Sequence, residues 1–256
     1  MKIILLGRDD EYTPMIYHGI NASYEISHVI TEEPVPKSTF LKRRIKKLGL
    51  PKVIGQVFFR VLIVPILDIQ AKARKREIEE EYQLAEDHSY QEKGIYSHFD
   101  SANSEACIQK VKELHPDIVI VNGTRILSKQ LLSCCDAIFI NAHMGITPRY
   151  RGSHGAYWAL YNNDPKHAGV TVHLIDTGID TGGILYQEPI AITEKDNFVT
   201  YPLLQLAKAI ELEKKVLIDY ESSHSLATIT NDLDSALWTH PTLIQYLKAR
   251  ITRNIK

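Results

Sequence analysis

The sequence predicts an α/β fold with a doubly wound, mostly parallel, Rossmann-like sheet, a helical insertion and a short C-terminal extension. Short apolar runs bounded by Gly or Pro, such as Asp117–Val121, are typical of strands buried on both faces. Segments of helical periodicity separate these runs, and such alternation is typical of parallel sheets with crossover helices. A length of 256 residues suits one such domain with an appendage.

The individual elements follow from periodicity and from Gly, Pro and polar boundaries. The predicted strands are Lys2–Leu6, Tyr24–Thr31, Asp117–Val121, Ala137–Asn141, Val170–Ile175 and Ile184–Ile190. The predicted helices outside the insertion are Asn103–Leu114, Ser128–Leu132, Asn197–Tyr220 and Leu243–Ile251. We therefore expect a main domain over residues 1–192 and a helical extension over 193–256.

Residues 35–85 interrupt the α/β rhythm and predict a helical insertion. A basic stretch, Lys42–Lys47, precedes the apolar run Val57–Ile69, and a charged helix, Gln70–Tyr82, follows. We expect a helical hairpin that packs its apolar face on the domain or on a second subunit, as in a homodimer. Contact with a membrane surface through residues 37–69 is the alternative. We find no apolar run of 18 or more residues that would span a bilayer.

The composition argues against several classes of partner. The formal net charge is −1, whereas nucleic-acid binding usually requires an excess of Lys and Arg, so we expect no nucleic-acid partner. The three cysteines include an adjacent pair and predict reduced thiols in a cytoplasmic protein. No histidine pair has the HExxH spacing of zinc hydrolases, so we predict no metal site.

The candidate catalytic residues are Asn141, His143 and Asp180. Asn141 and His143 end a predicted strand, where alternation directs both side chains to one face, and ligands bind beyond such strand ends. Asp180 lies on a Gly-rich loop after a later strand and can return to that point. Acyl transfer to an amine needs an amide to stabilise the oxyanion, an imidazole to move protons and a carboxylate to orient the imidazole.

The stretch from Asn122 to Ile190 resembles the catalytic domain of folate-dependent formyltransferases. It contains an N-x-H strand end, a Y-R-G loop, a G-V-T-V-H strand and a D-x-G-x-D-x-G loop, in the family's order. This family includes glycinamide ribonucleotide formyltransferases, methionyl-tRNA formyltransferases and amino-sugar N-formyltransferases. The resemblance implies that Asn141, His143 and Asp180 are the catalytic trio and that 10-formyltetrahydrofolate is the co-substrate.

The resemblance also implies where the ligands bind. The pterin pocket is expected at the backbone of Arg125, Ile126 and Leu127 and at the loop residues Asp176, Gly178 and Ile179. The expected acceptor-binding residues are Met144, Thr147, Arg151 and His154. We further expect Asp176 to cap its turn and His173 to line the wall of the site. Arg149 is a second candidate for binding an acceptor phosphate.

Two departures from the family bear on the acceptor. The loop Met144–Thr147 replaces the Pro-Ser-Leu-Leu that often follows the histidine. The first loop, Gly7–Met15, is acidic and bulky, which disfavours the phosphate of glycinamide ribonucleotide. The tail lacks room for the extra barrel of methionyl-tRNA formyltransferases, and Ser235–Leu247 resembles the tails of amino-sugar enzymes.

The resulting prediction is N-formylation of a nucleotide-linked amino sugar for surface polysaccharide, such as O-antigen, biosynthesis. Three alternatives remain open at this point. The chain could formylate glycinamide ribonucleotide or another small amine. It could use water as the acceptor and hydrolyse formyl-folate. It could also be a non-catalytic folate-binding or membrane-associated module.

Overall fold

A seven-stranded sheet forms the centre of the molecule in the computed structural model, which describes all residues from 1 to 256. Its strands are β1 (Ile3–Arg8), β2 (Ile26–Glu32), β3 (Tyr96–Phe99), β4 (Ile118–Asn122), β5 (Ile138–His143), β7 (Gly169–Leu174) and β8 (Ile184–Pro189), while β6 (Arg151–Gly152) and β9 (Leu237–Trp238) pair separately. The sheet order is β3-β2-β1-β4-β5-β7-β8. The strands from β3 to β5 in this order pair in parallel, and β7 and β8 are antiparallel, so the predicted mostly parallel sheet is confirmed.

Helices cover both faces of the sheet. They are α1 (Tyr12–Asn21), α2 (Lys37–Leu48), α3 (Leu50–Phe58), α4 (Val64–Glu81), α5 (Ser89–Glu92), α6 (Glu105–Leu114), α7 (Lys129–Leu132), α8 (Gly155–Tyr161), α9 (Tyr201–Ser223) and α10 (Leu243–Arg253). The larger core cluster joins β1, β4 and β7 to α1 and α9, and a smaller one lies under α6. Apolar side chains on both faces of the central strands explain why those strands read as continuous apolar runs.

The insertion is helical, as predicted, and it buries only one side of its apolar surface on the domain. A π-helical turn, Phe59–Ile63, joins α3 to α4 and ends two residues before Pro65, whose ring nitrogen cannot donate to the preceding turn. Val53 and Phe59 point into the core, whereas Phe58 and Leu62 on the other side are half exposed. The expected packing on the domain therefore holds for one of two apolar stripes, and the other finds no partner within this chain.

The tail packs against the loop that follows β5. Strand β9 pairs with β6 in a two-stranded parallel sheet, and Trp238 stacks on Trp158 with ring centroids 4.7 Å apart. Neither two-residue strand was predicted, because so short a strand has no periodicity to detect. Strand β3, at the sheet edge, was missed for the same reason. Helix α9 packs in the main core, where Gln205 donates to the Gly169 carbonyl at 2.8 Å.

Candidate active site

Two antiparallel strands bring the amide and two imidazoles of the site together. Asn141 and His143 lie two residues apart on β5, so their side chains share one face. Asn141 lies directly opposite His173 on β7, and cross-strand partners of this kind are in contact. The Asn141 amide nitrogen is 3.2 Å from His173 Nε2. Strand register therefore places these three side chains at the end of the sheet.

Asp180 reaches the same point from the loop that follows β7. Its Oδ1 lies 3.4 Å from His143 Nδ1 and 4.0 Å from His173 Nε2. Its Oδ2 accepts a hydrogen bond of 2.9 Å from the Gly152 backbone N–H. Asp180 has a left-handed backbone with φ of 52°, which Asp adopts more readily than most residues. The structure thus brings together Asn141, His143 and Asp180, the three residues proposed from the sequence.

The hydrogen-bond partners assign the protons on both imidazoles. His143 Nε2 lies 2.8 Å from the Tyr150 carbonyl oxygen, which only accepts, so this nitrogen carries a proton. The other ring nitrogen, Nδ1, faces Asp180 Oδ1. His173 Nδ1 lies 2.7 Å from the Leu174 carbonyl and donates to it, so His173 Nε2 accepts from the Asn141 amide. Burial lowers the pKa of His173 and favours this neutral form.

A cavity of about 510 Å³ opens at this end of the sheet, in the range of small-molecule pockets. Asn141, His143 and Asp180 line it, beside the carboxyl ends of β1, β4 and β5 where this fold binds ligands. Ile126 and Ile179 contribute apolar walls and keep 58% and 37% of their surface exposed. The cavity therefore combines apolar walls with the polar groups of the trio.

The residues expected to bind a pterin differ in what they can offer. The Arg125 backbone N–H donates to the Glu32 carboxylate at 2.6 Å, and the Arg125 side chain pairs with the same carboxylate. This backbone N–H is therefore not free to bind a ligand. The N–H groups of Ile126 and Leu127, by contrast, have no partner in the protein and lie at the cavity. Asp176 lies outside the cavity lining and accepts from the Gly178 N–H and the Thr181 hydroxyl, which holds the loop in shape.

The proposed acceptor-binding residues do not all reach the cavity. Met144 lines it, whereas Thr147 is buried, with its N–H donating to the Thr171 hydroxyl at 3.0 Å. Arg151 donates to the Ile179 carbonyl at 3.4 Å and braces the loop that carries Asp180. His154 is half-buried, and its Nε2 lies 3.0 Å from His240 Nδ1. Thr147, Arg151 and His154 therefore lie outside the lining of the cavity, although the buried Nε of Arg151 has no hydrogen-bond partner.

The start of α1 is closed to an anion. Asp10 Oδ1 accepts from the backbone N–H groups of Tyr12 and Thr13 at 3.1 and 3.4 Å, and Asp10 Oδ2 pairs with Arg8. Free N–H groups at a helix N-terminus bind phosphate, but here a carboxylate already occupies them. The acidic first loop therefore leaves no free N–H groups of Tyr12 and Thr13 for a phosphate, in line with the expectation from its sequence.

Two supporting features were not recognised from the sequence. The Tyr150 carbonyl fixes the His143 ring, and Gly145 makes room for it, since a Cβ on Gly145 would lie 2.2 Å from that oxygen. Gly155 allows α8 to approach the same loop, because a Cβ there would lie 2.5 Å from the Gly145 Cα. These two glycines, which follow the histidine-bearing strand end, carried the only signal, since backbone acceptors leave no mark in a sequence.

Comparison with known proteins identifies a family. The family model described as formyl transferase matches residues 60–219, more than half of the chain. Methionyl-tRNA formyltransferase of Clostridioides difficile (strain 630) is 28% identical over 195 residues, covering 76% of this chain and 51% of the relative. Methionyl-tRNA formyltransferase of a Nitratiruptor species is 37% identical over 242 residues, covering 92% of this chain and 65% of the relative. The chain thus spans about half the length of the first of these relatives.

A solved structure shares the fold. The N-formyltransferase from Helicobacter canadensis, in complex with folinic acid and dTDP-3-aminofucose, superposes with a TM-score of 0.56 at 17% identity. The superposition covers 93% of this chain and 70% of that protein. At this identity the likeness shows the fold.

Proposed function

The chain belongs to the formyl transferase family, and on that premise we propose that it transfers a formyl group from 10-formyltetrahydrofolate to the amine of a small molecule. The observation that carries the proposal is the convergence of Asn141, His143 and Asp180 at one end of the cavity. The exposed apolar walls of Ile126 and Ile179, and the unpartnered N–H groups of Ile126 and Leu127, fit a pterin ring.

The chemistry follows from the proton assignments. The amine nitrogen attacks the formyl carbon, and the carbonyl oxygen becomes an oxyanion. Asn141 donates one amide hydrogen to His173 Nε2, and its second amide hydrogen is free to donate to that oxyanion. His143 Nδ1 takes the proton that leaves the amine, and Asp180 stabilises the resulting imidazolium. The same proton then passes to the folate nitrogen as its bond to the formyl carbon breaks, so the atoms and charges balance.

For the acceptor, we propose a nucleotide-linked amino sugar used in surface polysaccharide synthesis. Asp10 closes the α1 N-terminus, which argues against the phosphate of glycinamide ribonucleotide. The net charge of −1 argues against a transfer RNA, whose binding requires many cationic contacts. The shared fold with an enzyme solved with dTDP-3-aminofucose supports a sugar, whereas the sequence relatives named above favour methionyl-tRNA.

A mass-spectrometric assay distinguishes these acceptors. The purified chain and 10-formyltetrahydrofolate are incubated with amino-sugar nucleotides, methionyl-tRNA, glycinamide ribonucleotide or no acceptor. We expect the mass gain of one formyl group on an amino-sugar nucleotide, and no gain with His143→Ala. Formylation of methionyl-tRNA instead of the sugar would contradict the proposed acceptor. Release of tetrahydrofolate without any acceptor would indicate a hydrolase. No reaction of the formyl donor under any condition would contradict formyl transfer itself.

A further inference from the structure

The insertion presents an apolar surface that nothing in the chain covers. Exposed apolar side chains follow one another along α3, the π-helical turn and α4, and they include Ile54, Val57, Phe58, Val61, Leu62 and Ile66. Their spacing of one, three or four positions keeps them on one side of a helix. A contiguous apolar patch of this kind is rare on soluble monomers and marks an interaction surface.

The opposite side of the same helix is anchored to the protein. Val53 and Phe59 are buried in the core, and the buried Gln56 side chain donates to the His240 carbonyl at 2.6 Å. Farther along, Arg74 pairs with the buried Asp196 at 2.8 Å. The continuous stretch Leu50–Glu81 is long and apolar enough to cross a membrane, contrary to the expectation from sequence, yet these anchors hold it against the domain.

Positive charge is concentrated in the same segment of the chain. Between Glu33 and Asp68 the chain carries eight Lys and Arg residues and no acidic residue, although its net charge is −1 overall. Lys42, Arg43, Lys46 and Lys47 of α2 are exposed. An apolar stripe flanked by cations is the pattern of helices that lie in the headgroup region of an anionic bilayer.

We propose that the surface formed by α2, α3 and the start of α4 binds the surface of an anionic membrane without crossing it. The exposed apolar side chains enter the headgroup boundary, and the cations of α2 contact anionic lipid headgroups. A second copy of the chain is a poorer occupant, because a twofold interface would bring two sets of eight cations together without acidic partners. The Gln56 contact ties this surface to the tail that packs beside the active site.

Vesicle flotation tests the apolar part of the proposal. The full chain is mixed with vesicles of phosphatidylcholine alone or with one third phosphatidylglycerol. We expect flotation with the anionic vesicles and at least tenfold less with Ile66→Asp. Ile218→Asp is the matched control, since Ile66 and Ile218 expose 52% and 54% of their surface and only Ile66 lies on the insertion. Thermal unfolding checks that both variants fold.

A charge variant tests the electrostatic part. Each Lys near an anionic surface raises partitioning about fivefold, so Lys46→Glu with Lys47→Glu should lower it by at least about 30-fold. The control pair is Lys112→Glu with Lys129→Glu, which are exposed outside the insertion. Equal flotation with neutral and anionic vesicles, or no flotation at all, would overturn the proposal. So would a dimer in light scattering that Ile66→Asp dissociates while vesicles remain unbound.

Discussion

At the scale of single residues, the site depends on which atoms are already engaged. His173 cannot donate a proton to the reacting atoms, because its only N–H donates to the Leu174 carbonyl. Its free nitrogen instead orients the Asn141 amide at 3.2 Å. His173 is therefore a positioning residue, and its effect on the reaction passes through Asn141. The sequence pattern predicts His173 on the wall of the site, whereas its proton assignment follows from the backbone geometry.

This assignment predicts coupled effects on turnover. Asn141→Ala should lower kcat about a hundredfold or more, as for other oxyanion donors. His173→Leu should lower kcat by less, and the double variant should be no slower than Asn141→Ala alone, because both changes remove one interaction. Steady-state kinetics of the three variants checks this. Multiplicative losses in the double variant would show that His173 acts independently of Asn141.

At the scale of elements, α9 places a carboxyl group in the core, and this lowers the stability of the fold. Glu213 is 1% exposed, and neither of its carboxylate oxygens has a hydrogen-bond partner. Burial raises its pKa from 4.5 to about 8, so it is protonated at neutral pH. A folded state that holds a proton more tightly than the unfolded state loses stability as pH rises from about 4.5 to about 8.

Replacing this carboxyl should stabilise the protein. Glu213→Leu is expected to raise the free energy of unfolding by roughly 3 kcal/mol at pH 7, the cost of protonating a group whose unfolded pKa is 4.5. Denaturant unfolding of wild type and variant at pH 5 and 8 measures it. Glu213→Gln is the control that removes the titration but keeps a polar group. An unchanged pH dependence in both variants would contradict the account.

How well an element could be predicted depended on its length and pattern. The predicted ends of the buried strands β1, β4 and β5 lie within two residues of the observed ends. Short apolar runs that end at Gly, Asn or Pro are typical of buried strands. The insertion was recognised as helical, but its packing was not, since a helix with two apolar stripes does not say which stripe faces the core. Strands β6 and β9 exist through pairing between distant segments and have no local signal.

At the scale of the whole molecule, three parts of the chain meet at one pair of histidines. His154, at the start of α8, contacts His240 of the tail, and Arg44 and Arg60 of the insertion lie nearby. Burial, reinforced by these cations, lowers the pKa of His240 from 6.5 to about 4 and lowers that of His154 as well. Both rings are therefore neutral when the three parts are packed together.

This junction predicts an acid-sensitive packing of insertion and tail. Histidines that take up protons more readily when unfolded cost stability as pH falls from about 6.5 toward 4. Thermal unfolding should therefore show a falling melting temperature in this range, and His240→Gln should flatten the slope. An equally steep slope in His240→Gln would place the acid sensitivity elsewhere in the molecule.

The central claim is that Asn141, His143 and Asp180 act as one unit on a formyl group, and the rate of Asp180→Asn tests it most directly. The amide keeps the size of the side chain but cannot stabilise a charged His143 ring, 3.4 Å away. We expect formyl transfer to fall at least about a hundredfold, with unchanged thermal unfolding. Asp176→Asn, in the same loop but directed at Gly178 and Thr181, should lose less than about tenfold. A rate near wild type for Asp180→Asn would contradict the account.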